Sequence, residues 1–421
     1  MLPSVLGIAV IVLHANVGAS SATAFGCSDS LIADDWRQAI LDYHNKHRKT
    51  VAEGKQASGG GKMPGAKDMN KLYWDCNIEN IAYLRNCNGS FVVPSGFAEM
   101  SKAINLGGAN CDIKKRTIDI LNTWWNEVKS TNLSTPNYDE TKIKNFGIMA
   151  YGKTTGFACT YNKACSSNLL CVYDQKPEDK KPLYTTGDIC SDNDCGQGKT
   201  CVAYLCQPKN GYTPSEKAHP MPLCTSGKDD GMTNEMQVTA VNMMNYYRRL
   251  VGTGWAQDLK GYAPIAKGLV RMNYNCDVLG EGAKTIADKC DETQYLPLKG
   301  RTLSYHIVNQ VNVDKKTLLK EAIKKWADQS KLVDLTEIGG GVFYQNELVD
   351  KASDWAKIVY HGNSFVGCTV RECKNKFTVA MCQYVSLFTV MDPIYTVGKP
   401  CSGCSKGYKC DNALGGGLCI K

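Results

Sequence analysis

Apolar residues recur at helical spacing over Leu31 to Glu53, where Trp36, Ile40, Tyr43, His47 and Val51 fall at steps of three and four. Gly54 follows, which predicts an amphipathic helix with a glycine just past its C-terminus. Thr117 to Lys129 repeats the pattern through Ile120, Leu121, Trp124 and Val128. Short runs rich in β-formers at Phe146 to Tyr151, Leu169 to Tyr173, Lys357 to Tyr360 and Val379 to Val385 predict strands. Short strands set after amphipathic helices predict an α+β arrangement, an antiparallel sheet packed against helices.

The pattern is written twice. Cys27, Cys76, Cys87, Cys159, Cys165, Cys171, Cys190, Cys195, Cys201 and Cys206 answer in order to Cys224, Cys276, Cys290, Cys368, Cys373, Cys382, Cys401, Cys404, Cys410 and Cys419. The local text agrees, with FACTYNKAC beside VGCTVREC and YTTGDIC beside YTVGKPC. A repeat of this kind predicts two copies of one unit. Each copy ends in a cysteine-dense tail, 190–206 and 401–421, too poor in aliphatics to build a core without disulfides. Residues 207–223, with Pro208, Pro214, Pro220 and Pro222, read as the linker between units spanning 25–189 and 224–400. Cys111 has no counterpart, so parity leaves it as a free thiol or as the link of a disulfide-bonded homodimer.

An apolar run from Val5 to Leu13, followed by Ala22-Thr23-Ala24, reads as a signal peptide over residues 1–24. No later stretch has the ~20 apolar residues of a membrane span. Export is therefore expected, and 21 cysteines then read as a disulfide framework rather than as thiolate ligands. The sequons at Asn88 and Asn132 would accept glycans in that compartment. Net charge is +8, but the bases come in short doublets without interleaved aromatics, which argues against nucleic acid as a partner.

The segments ILDYHNKHR (Ile40 to Arg48), MNKLYWDC (Met69 to Cys76), TWWNEV (Thr123 to Val128) and FGIMAYGKTTGFAC (Phe146 to Cys159) resemble the CAP/SCP family. MNYYRR, MNYNC and DWAKIVYHGNSFVGC continue the resemblance in the second half. The tandem arrangement with cysteine-rich tails is similar to the double-domain Ancylostoma-secreted, venom-allergen-like proteins of parasitic nematodes. The resemblance implies two CAP domains, each an αβα sandwich around a central antiparallel sheet.

It also implies a cleft that in some members holds two His and two Glu around a divalent cation. Here the carboxylates fall at Glu99 and Glu127, while Asn145 stands where one histidine is expected and the other is absent from CNGSFVVPSGF. In the second half the corresponding positions read Gln329 and Asp354. Two carboxylates facing each other without a cation would raise one pKa. His306 and His361 lie near the cleft segments and are the alternative ligands. His44 and His47 make an HxxH pair on one helix face, but His44 falls in a family motif where it packs, and Met244 replaces it in the second half.

HExxH, GxSxG and P-loop signatures are missing, and the glycine run Ser58 to Met63 reads as a flexible loop. The reading is a secreted, non-enzymatic binding protein with degenerate clefts and no cofactor. It would engage a host protein, or a lipid or sterol; the alternative is a metal-dependent extracellular hydrolase.

Overall fold

The structure is a computed structural model that describes residues 25–27, 32–87, 89, 91–108, 111–162, 166–215, 224–225, 227–291, 293–373, 376–411 and 416–421. The expected signal peptide, Asn88, Cys165 and residues 216–223 of the expected linker lie outside the described residues.

The first unit opens with α1 (Asp34–Ala52), which buries Trp36, Ile40, His44, Arg48 and Val51 along one face. Gly54 follows at φ +65°, a left-handed turn that suits glycine. Strands β1 (Ala57–Ser58) and β2 (Gly61–Lys62) pair as a small hairpin. Next come β3 (Tyr73–Trp74), α2 (Cys76–Cys87), β4 (Ala98–Ala103), α3 (Ile113–Trp125), α4 (Lys144–Ala150), β5 (Gly156–Asn162) and β6 (Asn168–Tyr173). The sheet order is β3-β5-β6-β4, antiparallel except for the two-residue β3, which joins β5 in parallel. The tail folds as α5 (Asp192–Cys195), β7 (Lys199–Val202) and β8 (Leu205–Pro208). It is held to the body by the hydrogen bonds Cys206 N to Met69 O and Lys71 N to Cys206 O.

The second unit repeats this plan with α6 (Asn234–Thr253), β9 (Asn273–Tyr274), α7 (Glu281–Ala287), β10 (Thr302–Val308) and α8 (Lys315–Ala327). It continues with β11 (Gly341–Phe343), α9 (Glu347–Lys351), α10 (Ser353–Val359), β12 (Phe365–Cys373), β13 (Phe377–Tyr384), β14 (Pro393–Thr396), β15 (Lys409–Cys410) and β16 (Cys419–Ile420). Its sheet order is β10-β13-β12-β9. Alternation along β13 makes the layers plain. Ala380, Cys382 and Tyr384 join the core under α6 and α8, while Val379 and Met381 join a second cluster with Ala283 and Ile286 of α7.

Nine disulfides occur among the described residues, and none crosses between units. Cys27–Cys76 answers to Cys224–Cys276, Cys159–Cys171 to Cys368–Cys382, Cys190–Cys201 to Cys401–Cys410, and Cys195–Cys206 to Cys404–Cys419. Cys290–Cys373 completes the second set, Cys87 is disulfide-bonded as well, and Cys111 is free and exposed.

Four expectations need correction. Phe146 to Ala150 and Lys357 to Val359 are helical, within α4 and α10, not strands. Phe146 to Ala150 are all buried, so the run has no polar face from which a helical period could be read. The glycine run is no loose loop, because the Gly59 N–H donates to Val128 O and Thr131 O and seats the β1-β2 hairpin on the turn after α3. The linker begins late: Gln207 and Pro208 belong to β8, the Tyr212 ring stacks on Tyr73 at 4.9 Å, and both the Tyr212 hydroxyl and the Ser215 N–H donate to Asp75. Asp75 thereby holds the start of the linker on the first unit.

The units touch through α2 and the second tail. The Tyr83 hydroxyl donates to Asp411 over 3.2 Å, and the Arg271 guanidinium lies 5.4 Å from the Tyr83 ring. Asp411 also pairs with Arg249, both side chains being fully buried.

Candidate functional site

Glu99 lies on β4 opposite Val172 of β6, and Arg85 stands in the last turn of α2. The guanidinium grips the carboxylate with two bonds, Nε to Oε2 at 2.8 Å and Nη2 to Oε1 at 3.1 Å. The pair walls a groove of about 520 Å³ that also takes in Phe91, Val93, Tyr138 and Lys144. The Tyr138 hydroxyl is buried with no hydrogen-bond partner among the described residues. Burial raises its pKa, and Glu140, Asp179 and Glu127 push the same way, so it stays a neutral donor. Sequence reasoning missed Tyr138, since an isolated tyrosine in a loop carries no pattern.

Glu127 is not among the residues lining that groove. It sits in the 3₁₀ turn Asn126–Ser130 that prolongs α3. Its Oε2 accepts from the Asn145 N–H at 2.8 Å and the Phe146 N–H at 3.0 Å, and its Oε1 accepts from Asn145 Nδ2 at 2.6 Å. The carboxylate thus satisfies the unpaired donors at the start of α4. Each acid has its own partner.

The second unit solves the same problem with the charge on the other side. Gln329 Oε1 accepts from the Asp354 N–H at 2.9 Å and the Trp355 N–H at 3.1 Å, and Gln329 Nε2 donates to Asp354 Oδ2 at 3.0 Å. Ser304 and Lys357 bond the other oxygen of Asp354. Acid and amide have exchanged places between the copies, and the helix start is satisfied in both.

The described histidines are His44, His47, His306 and His361. His44 is fully buried, with Nδ1 2.8 Å from Ile40 O and Nε2 2.8 Å from the Tyr173 hydroxyl. Burial pushes its pKa down to about 3. His47 lies between Tyr43 and Trp125, and burial lowers its pKa to about 4. The two rings are engaged with the core and with aromatic neighbours. His306 lies on β10, where burial lowers its pKa, and the His361 ring packs edge-on against Tyr360 at 4.9 Å. Among the described residues, the groups of three His, Cys, Asp or Glu close enough to share an ion are Cys190, Cys195 and Cys206, and Cys224, Asp230 and Cys276. Every cysteine in both is consumed by a disulfide.

Asn132 is exposed, its Oδ1 accepting from the Ser134 N–H at 3.0 Å. No helix among the described residues is long and apolar enough to cross a membrane.

A sequence profile described as CAP, the cysteine-rich secretory protein family, matches residues 41–173 and 241–384. The chain is 29% identical over 422 residues to Ancylostoma secreted protein of Ancylostoma caninum, covering 94% of each. It is 25% identical over 174 residues to venom allergen 5 of Polistes fuscatus, covering 37% of this chain and 84% of that protein. Among solved structures, Na-ASP-1 aligns over 94% of this chain and 100% of its own at 28% identity, with a TM-score of 0.43.

Proposed function

The chain belongs to the cysteine-rich secretory protein (CAP) family, and from that premise we propose that it is a secreted, non-catalytic binding protein with degenerate clefts. Its targets are a host protein, or a lipid or sterol. The observation that carries this reading is the occupation of the carboxylates: Glu99 is held by Arg85, and Glu127 caps a helix with Asn145. Among the described residues neither acid is hydrogen-bonded to an imidazole, and the groove offers a shaped mixed surface, apolar at Phe91 and Val93 and charged at Arg85 and Lys144. The disulfide pairing and the named secreted relatives support an extracellular setting. The domain reading places a first CAP domain over 25–189 and a second over 224–400, each followed by its tail.

Elemental analysis of tag-free full-length protein at neutral pH tests the reading against a metal-dependent hydrolase. We expect no stoichiometric zinc. One zinc per chain, lost in His306→Ala or His361→Ala, would overturn it.

A further inference from the structure

A cleft of about 190 Å³ lies where α2 of the first unit meets α6 and α8 of the second. Phe25, Trp74 and Tyr83 line it from the first unit and Val238 from the second. Its polar lining includes Asn80 on α2, Thr239 and Asn242 on α6, and Lys320 on α8. The side chains of these four are half-buried and make no hydrogen bond among the described residues.

The charged side chains in the lining are Glu79, Lys316 and Lys320. Two of them are satisfied. Arg37 grips Glu79 through Nε to Oε2 and Nη2 to Oε1, both at 2.7 Å, and the Trp74 indole N–H donates to Oε2 at 2.8 Å. Lys316 pairs with Glu235 as Lys114 pairs with Asp35 at the matching place in the first unit, so that bridge belongs to the fold. Lys320 has no ion pair among the described residues. Its Nζ stands over the bare backbone of Gly26, where an added Cβ would lie 3.5 Å from it. Glu321, next on α8, acts on His306 of β10, and Asp34, which also bonds Arg37, is not in the lining.

The repeat supplies an internal control. At the place of Lys320 the first unit has Ile118, packed against its core, and at the place of Asn242 it has Asp42, bonded to Gln38. The helix pair therefore forms without a lysine at this position. Between the copies, one exchange brings a cation to the cleft and the other takes an acid away from it.

A half-buried ammonium without a counter-ion, beside amide and hydroxyl groups and under aromatic walls, suits an anion with an apolar body. An apolar cavity of about 150 Å³ holds benzene, so this cleft has room for one ring and a carboxylate. We infer that the cleft between the units binds a small aromatic carboxylate, with its ring against Trp74 and Phe25 and its carboxylate on Lys320, supported by Asn80, Thr239 and Asn242. Both units contribute to the site. It shares no lining residue with the Glu99 groove and does not depend on how that groove is used.

Titration of the tag-free full chain with 3-phenylpropionate at neutral pH, read by ligand-observed NMR, tests this. Saturable binding with a Kd of about 1 mM or tighter is expected. The neutral 3-phenylpropanamide should bind at least ~10-fold more weakly. The acid should weaken by a similar factor on Lys320→Ile and on Asn242→Asp, which install the first unit's own residues and should keep the wild-type circular dichroism. No saturable binding of the acid to the wild type, or equal binding of acid and amide, overturns the inference. So does a Kd unchanged in either variant, because the acid would then sit elsewhere on the chain.

Discussion

His44 and His47 carry a pH dependence of stability whose sign follows from their burial. An unfolded histidine titrates near 6.5, while these two titrate near 3 and near 4 in the folded chain, so the unfolded state binds more protons between those limits. Stability is full above pH 6.5 and is lost as the pH falls through the window. For the fully buried His44 the slope approaches ~1.4 kcal/mol per pH unit; His47, partly in contact with water, adds less. His44→Met installs the residue that the second unit has at Met244. It should cost about 1–3 kcal/mol at neutral pH, since the Tyr173 hydroxyl loses its partner, and should flatten the decline between pH 6.5 and 5. Thermal unfolding at both pH values measures this, and an unchanged slope in the variant would remove His44 as its source. The same residues show why site chemistry was only partly legible. HxxH spacing puts two imidazoles on one helix, but whether they face a cleft or the core depends on what packs over them, here Phe157 and Trp125. Glu127 makes the point again: its position was readable, its task as a helix cap was not. Glu127→Ala should lower the stability of the first unit by about 1.5–3 kcal/mol, whereas Glu127→Gln with Asn145→Asp should restore most of it. A double-mutant cycle showing no coupling between 127 and 145 would refute the equivalence of the two networks.

The long amphipathic helices were legible because one face is wet, as in α1 and α3; β6 and β13 were legible from β-formers in short buried runs. Helices α4 and α10 were not, because a segment buried on every side has lost the polar half of its period. Their stability rests on two arginines that the sequence motif gives no reason to single out. Arg48 donates to Met149 O and Tyr151 O at the end of α4 and to Asn70 O. Arg248 does the same for Ile358 O and Tyr360 O at the end of α10, and for Val270 O. Burial lowers both guanidinium pKa values to about 9. The fork reaches several carbonyls at once, which a lysine cannot do. Arg48→Lys is expected to cost about 3 kcal/mol or more, seen as a clear fall in Tm, because buried carbonyls at a helix end lose their donors. A fall no larger than that of an exposed Arg371→Lys control would show that the carbonyls find other partners.

At the scale of the molecule, the repeat was legible from spacing, and so was the cysteine correspondence for the four disulfides described in both units, whereas the docking of the units through Tyr83 and Asp411 had no sequence signature. Because Asp75 holds Tyr212 and Ser215, limited proteolysis under non-reducing conditions is expected to cut after Ser215 and before Cys224, and to leave two disulfide-intact fragments. Fragments joined until reduction would mean that a disulfide crosses the units. Cys111 is exposed, and the Arg116 guanidinium stands 3.2 Å from its sulfur. A dimer band on non-reducing gels should vanish in Cys111→Ser; a band that persists would exclude this thiol as the link.

The exchanged acid and amide also constrain how the two halves can trade sequence. A recombinant that joined the turn after α3 from the first half to α10 from the second would set Glu against Asp at hydrogen-bond distance, two carboxylates competing for the same backbone donors. The reciprocal recombinant would set Gln against Asn and remove the negative charge at that helix start. Neither crossover reproduces a native pairing, so each recombinant is expected to unfold at a lower temperature than a chain that keeps both members of either pair.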